Sequence, residues 1–291
     1  GNPVRPGTAT GDLQSVRLFG LDPNRTGADP TSTVQRLFGV MPLPNNFRTG
    51  DGLNTAGYTW RRPSIDNFDV WNVKFDHTFN SSHRLSYTYN IEDEYEFNTR
   101  YEQRFPEAPG GNIKRRDHFH TLAFVSTLRA NLLNEFRVGV LRPDFRAYAP
   151  WELEENANFL PKAGNTAYIP VFNLVSSVVV DDDDPVRLFS PFYQFTDNVT
   201  LIRGKHAFKG GVDVRFPSSN SFNSSDVMPR VNFGTGGTAI LNLERIAGIG
   251  QNLANARNML NDLSGSVANV VQALNATGGS KPVYEPGLYK Y

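Results

Sequence analysis

The sequence predicts an all-β chain: part of an antiparallel transmembrane β-barrel, about six strands in three hairpins, with one amphipathic helix in a loop. Three observations carry this expectation. Several segments alternate between apolar and polar side chains, the period of a strand with two unlike faces. Tight polar turns join these segments in pairs, and long stretches separate the pairs. No apolar run approaches the ~18 residues of a membrane helix, which a barrel does not need.

The first hairpin runs from Asn67 to Glu92. Trp71, Val73, Phe75 and Phe79 alternate with Asn72, Lys74, Asp76, Thr78 and Asn80. After the turn Asn80-Ser81-Ser82-His83, Leu85, Tyr87, Tyr89 and Ile91 alternate with Ser86, Thr88, Asn90 and Glu92. In the second, Leu122, Phe124 and Leu128 share a face of the strand Phe119 to Leu128. The chain turns at Arg129-Ala130-Asn131-Leu132, and Phe136, Val138 and Val140 then alternate with Glu135, Arg137 and Gly139. In the third, Tyr193, Phe195, Val199 and Leu201 oppose Gln194, Thr196, Asn198 and Thr200. Arg203-Gly204-Lys205-His206 turns the chain, with Gly204 supplying a positive φ. Phe208, Val212, Val214 and Phe216 return against Lys209, Asp213 and Arg215.

The polar faces carry full charges, which suits a strand between lipid and a watery lumen better than one between core and surface. On this reading Trp71, Val73, Phe75, Leu85, Tyr87, Tyr89, Phe136 and Val138 face lipid. A soluble β-sandwich binding module would instead bury Trp71, Phe75, Tyr87 and Tyr89.

Long connections, Asp93 to Asp117, Arg142 to Phe192 and everything after Pro217, alternate with the short turns, as outer-membrane barrels require. Residues 1–65 are rich in Gly, Pro, Asn and Thr and read as an irregular loop region of extracellular type. A short helix is expected near Thr31 to Val40, with Thr31-Ser32-Thr33 offering caps. Residues 66–217 carry the hairpins. Residues 218–291 form a long loop region. Within it, Ile249, Leu253, Ala256, Leu260, Leu263, Val267, Val270, Val271 and Leu274 recur at spacings of three and four, predicting a helix over about 249–274. Six strands fall short of the ~8 with which single-chain barrels begin, so the chain is expected to be a piece of a larger wall.

Composition excludes more than it selects. The 291 residues carry 29 basic and 29 acidic side chains, and this zero net charge argues against a nucleic-acid partner. The absence of Cys rules out disulfides, zinc thiolates and a cysteine nucleophile. No G-x-S-x-G, Walker or H-E-x-x-H pattern occurs, so neither an enzyme nor a cofactor is expected. Asp181, Asp182, Asp183 and Asp184 form an acidic run that could hold a hard cation through oxygen ligands, or simply a solvated loop. Glu92, Asp93, Glu94 and Glu96, followed by Arg100, Arg104, Lys114, Arg115 and Arg116, read as an ion-paired loop. His118 and His120 share a strand face but lack further metal ligands at a recognisable spacing.

The order and spacing of several motifs resemble the barrel region of TonB-dependent outer-membrane receptors, in particular the Oar-like group with a carboxypeptidase-regulatory-like domain. The motifs are Gly11-Asp12-Leu13-Gln14 with Phe19 to Arg25, Met41-Pro42-Leu43-Pro44-Asn45-Asn46-Phe47, Asp76-His77-Thr78-Phe79 with His83-Arg84-Leu85, Asn131 to Arg137, Arg203-Gly204-Lys205-His206 with Lys209-Gly210-Gly211, and Ala256 to Gly265. The resemblance implies location in the bacterial outer membrane and contact with its lipid. It also implies uptake of a bulky ligand through a plugged barrel of about twenty-two strands. Coupling to TonB would run through N-terminal parts that this sequence lacks. A surface adhesion or structural protein is the alternative, since Oar-like members need not import a nutrient.

Overall fold

The computed structural model describes residues 15–50, 54–174, 184–277, 283–286 and 289–290. The three hairpins lie side by side in one antiparallel sheet. Its strands are β1 (Ile65–Asn80), β2 (His83–Phe97), β3 (Asn112–Arg129), β4 (Leu132–Arg142), β5 (Phe192–Arg203) and β6 (His206–Pro217). Each pairs with its neighbour in the chain, from β1 across to β6, and β1 and β6 do not close on one another.

The turns follow from their residues. A two-residue hairpin loop favours left-handed backbone at its centre. Gly204 provides it at φ 61°, and Arg203 pairs directly with His206. Ser81-Ser82 and Ala130-Asn131 have no positive φ. There the register shifts instead, between Thr78 and Asn80 and between Thr127 and Arg129. Such a bulge lets an ordinary turn close the hairpin.

The strands extend further than the apolar pattern indicates. β2 reaches Phe97 and β3 starts at Asn112, so the connection expected from Asp93 to Asp117 is only residues 98–111. Beyond β4, Phe145–Tyr148 pairs with Asn112 to Arg115 of β3 in the register that β4 already holds. Pro143 has no N–H to give the ladder. Asp144 and Arg116 restore it with reciprocal backbone bonds of 3.2 and 2.9 Å. Val186–Leu188 likewise continues β5, and Phe222–Asn223 continues β6. Across that interruption Ser218 donates to the Pro191 carbonyl at 3.0 Å and Asn220 to that of Phe189 at 2.7 Å. Part of each expected long loop therefore extends the wall.

Among the described residues, Ile113 is the only buried apolar side chain that belongs to β1–β6. The core lies in a cap at the end of the sheet away from the tight turns, where Val34, Leu37, Tyr101, Phe105, Leu160, Ile169, Phe172 and Phe233 pack together. The cap includes helix α1 (Thr33–Gly39) and, in a second small cluster, helix α2 (Leu253–Ser264). Helix α1 falls inside the expected Thr31 to Val40, but Ser32 makes no side-chain cap. Asp29 takes that role, accepting the Val34 N–H at 3.0 Å and the Thr31 N–H at 2.9 Å.

The helix expected over 249–274 is corrected at its C-terminal half. Gly265, at φ 71°, ends α2, and Ser266 donates back to the Asn261 carbonyl at 3.0 Å. Val267–Val271 then forms a strand against Arg230–Phe233. Three valines in five residues favour that pairing over a helical continuation. The end regions are not separate from one another either. Buried Arg25 donates to Asp22 at 2.7 Å, to the Thr235 and Thr238 carbonyls at 3.0 and 2.9 Å, and to Ser266 Oγ at 3.2 Å.

Candidate functional site

The register gathers the apolar residues of all three hairpins on one face. Val73, Tyr89, His120, Val140, Tyr193 and Phe216 stand side by side across the six strands. The next row is Phe75, Tyr87, Leu122, Val138, Phe195 and Val214, and Leu85, Phe124 and Phe136 follow below. All eight residues expected to face lipid, Trp71, Val73, Phe75, Leu85, Tyr87, Tyr89, Phe136 and Val138, share this face. Trp71 is 68% and Phe75 55% exposed, so nothing among the described residues covers them as a sandwich would. His118 and His120 also lie here, with Nδ1 atoms 2.8 Å from the hydroxyls of Tyr89 and Tyr87. Among the described residues no cluster of His, Asp or Glu could hold a metal. Asp197 interrupts the apolar rows and accepts from Asn134 at 2.5 Å.

The opposite face is polar and hydrogen-bonded across strands. Ser86 donates to Asp76 at 2.5 Å, and Lys74 lies 3.1 Å from the same carboxylate. Gln194, Thr196 and Arg215 converge on Asp213 at 2.6, 3.1 and 2.8 Å. Arg137 and Lys209 approach Glu135 at 3.9 and 4.0 Å. A charged face of this breadth, far from any core, suits a water-filled passage.

At the capped end the two faces exchange character. On the polar side Ile113, Ala147 and Val186 form a row that the cap core covers. The cap thus folds over the polar face at that end of the sheet. On the apolar side the same strands carry Arg116, Lys114, Arg146 and Arg187. The expected ion-paired loop is corrected here: Asp93 pairs with Arg116, and Glu94 with Arg115 at 3.0 Å, as cross-strand neighbours inside β2 and β3. Charged residues hide a strand from an apolar pattern. Following the period of two past Pro143 would have found Arg142, Arg146 and Tyr148 on one side.

The acidic run is only partly visible. Asp181, Asp182 and Asp183 lie outside the described residues. Asp184 has a structural role, with its carbonyl accepting the Tyr101 hydroxyl at 2.7 Å and its carboxylate the Asp226 N–H at 2.9 Å. In the cap, burial pushes the Asp262 carboxyl above its ordinary range, against the hydrogen bonds it accepts from Leu174 and Asn173. Glu152 is likewise raised by burial, against the opposing pull of Arg146. At Asp29 burial also pushes upward, but the hydrogen bonds from Val34 and Thr31 prevail and lower the value.

A family model described as an outer membrane beta barrel domain matches residues 7–289. No curated protein and no solved structure matches the chain.

Proposed function

The chain belongs to the outer membrane beta barrel domain family, and from that premise we propose that it forms wall and outer mouth of a TonB-dependent receptor that takes up a bulky ligand across the bacterial outer membrane. The observation that carries this reading is the pairing of a broad charged face with a packed cap folded over one end of it. The apolar face, including Trp71, Phe75 and Tyr87, meets outer-membrane lipid. The charged face lines the lumen, and the cap sits at the extracellular mouth, because short turns are periplasmic and long connections extracellular. The ligand would meet the cap first and the polar wall behind it. The wall acts by shape and hydration rather than by catalysis, and a chain of zero net charge offers nucleic acid no electrostatic hold. Coupling to TonB would run through a plug and an N-terminal box.

The test is cross-linking of the natural full-length protein to TonB in intact cells, with and without a protonophore. Cross-links that respond to the proton-motive force are expected. Their absence, with the barrel correctly inserted, would overturn the transport reading in favour of surface adhesion or a structural role.

A further inference from the structure

The charged belt above the apolar face has no part in the passage. It lies on the opposite side of the wall, around a cleft of about 720 Å³ lined by Tyr95, Lys114, Arg116, Arg146, Tyr148 and Arg187. Its cations are interleaved with rings. Lys114 Nζ is 5.7 Å and the Arg146 guanidinium 4.9 Å from the Tyr148 ring, while Arg142 and Arg187 flank Phe189 at 6.0 and 5.6 Å. Carboxylates fix three of these cations: Asp93 holds Arg116, Asp144 holds Arg187 at 3.1 Å, and Glu152 holds Arg146 at 2.8 Å. Among the described residues Lys114 and Arg142 have no carboxylate partner and stay exposed, so the belt keeps a small excess of positive charge even with Asp69, which stands beside Asp93 in the same row.

Its height is informative. From Leu122, in the middle apolar rows, to Arg116 is six residues of β3, about 20 Å along a strand and about 15 Å of height at a tilt of about 40°. Half of a lipid-facing band about 25 Å tall is about 12 Å. Arg116, with Lys114, Arg146 and Arg187 beyond it, therefore stands just beyond the hydrocarbon, where headgroups lie, and Arg142, level with His118 one row lower, reaches them by extending its side chain. Guanidinium and ammonium groups there meet phosphate oxygens with charge-assisted hydrogen bonds, and the rings suit the interface.

We propose that this belt is a binding site for the phosphate of an outer-leaflet glycolipid headgroup, with Lys114 and Arg142 as its free cations and Arg116, Arg146 and Arg187 as its positioned ones. The proposal rests on the apolar face being the lipid side. Continuity with that face argues for a membrane lipid, and the excess charge argues for an anionic one.

The natural full-length protein in phosphatidylcholine nanodiscs, titrated with lipid A, tests the site. Lipid A is expected to be retained, and its dephosphorylated form to bind weakly. Lys114→Gln with Arg142→Gln is expected to weaken retention about thirtyfold, since each surface cation near a membrane contributes about 1 kcal/mol. Equal binding of the dephosphorylated lipid, or an unchanged double variant, overturns the proposal. Full displacement by inorganic phosphate assigns a free-anion site and overturns the lipid source. Quenching of Trp71 by brominated acyl chains reads the orientation separately. Quenching without phosphate-dependent binding refutes the belt alone, whereas no quenching refutes the lipid-side reading beneath it.

Discussion

The Asp262 carboxylate on α2 accepts the backbone N–H of Leu174 at 2.8 Å, tying the helix to a segment 88 residues earlier in the chain. It also takes the Asn173 N–H at 3.1 Å. Asp262 is fully buried, so its removal strands both donors without water. Asp262→Ala is expected to destabilise the cap by about 2–3 kcal/mol. Asp262→Asn keeps one acceptor oxygen and should cost less. Urea titration followed by Trp151 fluorescence, with Trp60 and Trp71 replaced by Phe, gives both values. Equal midpoints for wild type and Asp262→Ala would remove Asp262 from the cap's support.

The three shifted carboxyls of the cap give it a pH dependence of definite sign. Asp29 is lowered from 3.8, so its stabilisation is present above that value and disappears as pH falls through the lower folded value. Asp262 and Glu152 are raised from 3.8 and 4.5, so the folded cap holds their protons longer than the unfolded chain does. Their contribution is full below those values and declines as pH rises through the raised folded ones. The summed contribution of the three peaks at mildly acidic pH. Melting temperatures of the Trp151 signal, measured against pH, should fall from that region toward neutrality. The fall should be shallower in Asp262→Asn. A rising curve would contradict the assignment.

Gly265 ends α2 where the chain must turn left-handed, at φ 71°. A Cβ there would also stand 3.1 Å from the Asp29 carboxylate, which is fixed by its cap on α1. Gly265→Ala is expected to cost about 1–2 kcal/mol from backbone strain alone. Helix and strand on either side should remain. Circular dichroism with a thermal melt separates lost stability from lost fold, and an unshifted melt would show that the cap relaxes freely.

The two faces of the wall predict opposite tolerance to one substitution. Phe75→Lys or Tyr87→Lys puts a charge on the apolar face, at a cost of about 2–4 kcal/mol near the membrane midplane. Thr88→Lys adds the same charge to the polar face, opposite Lys74, and should cost less than about 1 kcal/mol of like-charge repulsion on folding into liposomes. Equilibrium refolding in lipid measures all three. Equal tolerance on both faces would rule out a membrane wall.

What was legible in the sequence is local. Period-two alternation from Trp71 to Phe79 and from Phe208 to Phe216 identifies strands, because each side chain is sorted by its own environment. Ser81-Ser82, Ala130-Asn131 and Gly204-Lys205 mark the turns, because a hairpin loop is decided by a few residues. What only the tertiary structure decided depends on distant partners. Val267–Val271 has a helical spacing and a β-branched composition, and Arg230–Phe233 alongside it settles the matter in favour of a strand. Past Pro143 the apolar signal stops, yet β3 holds the chain in register as far as Tyr148. Arg25, buried between Asp22, Thr235 and Ser266, depends on a meeting of chain ends that no local spacing encodes. The exchange of polarity between the two faces at the capped end follows from the same cause: the cap's apolar side chains come from segments far apart in sequence, and only their packing decides which side of the wall is covered.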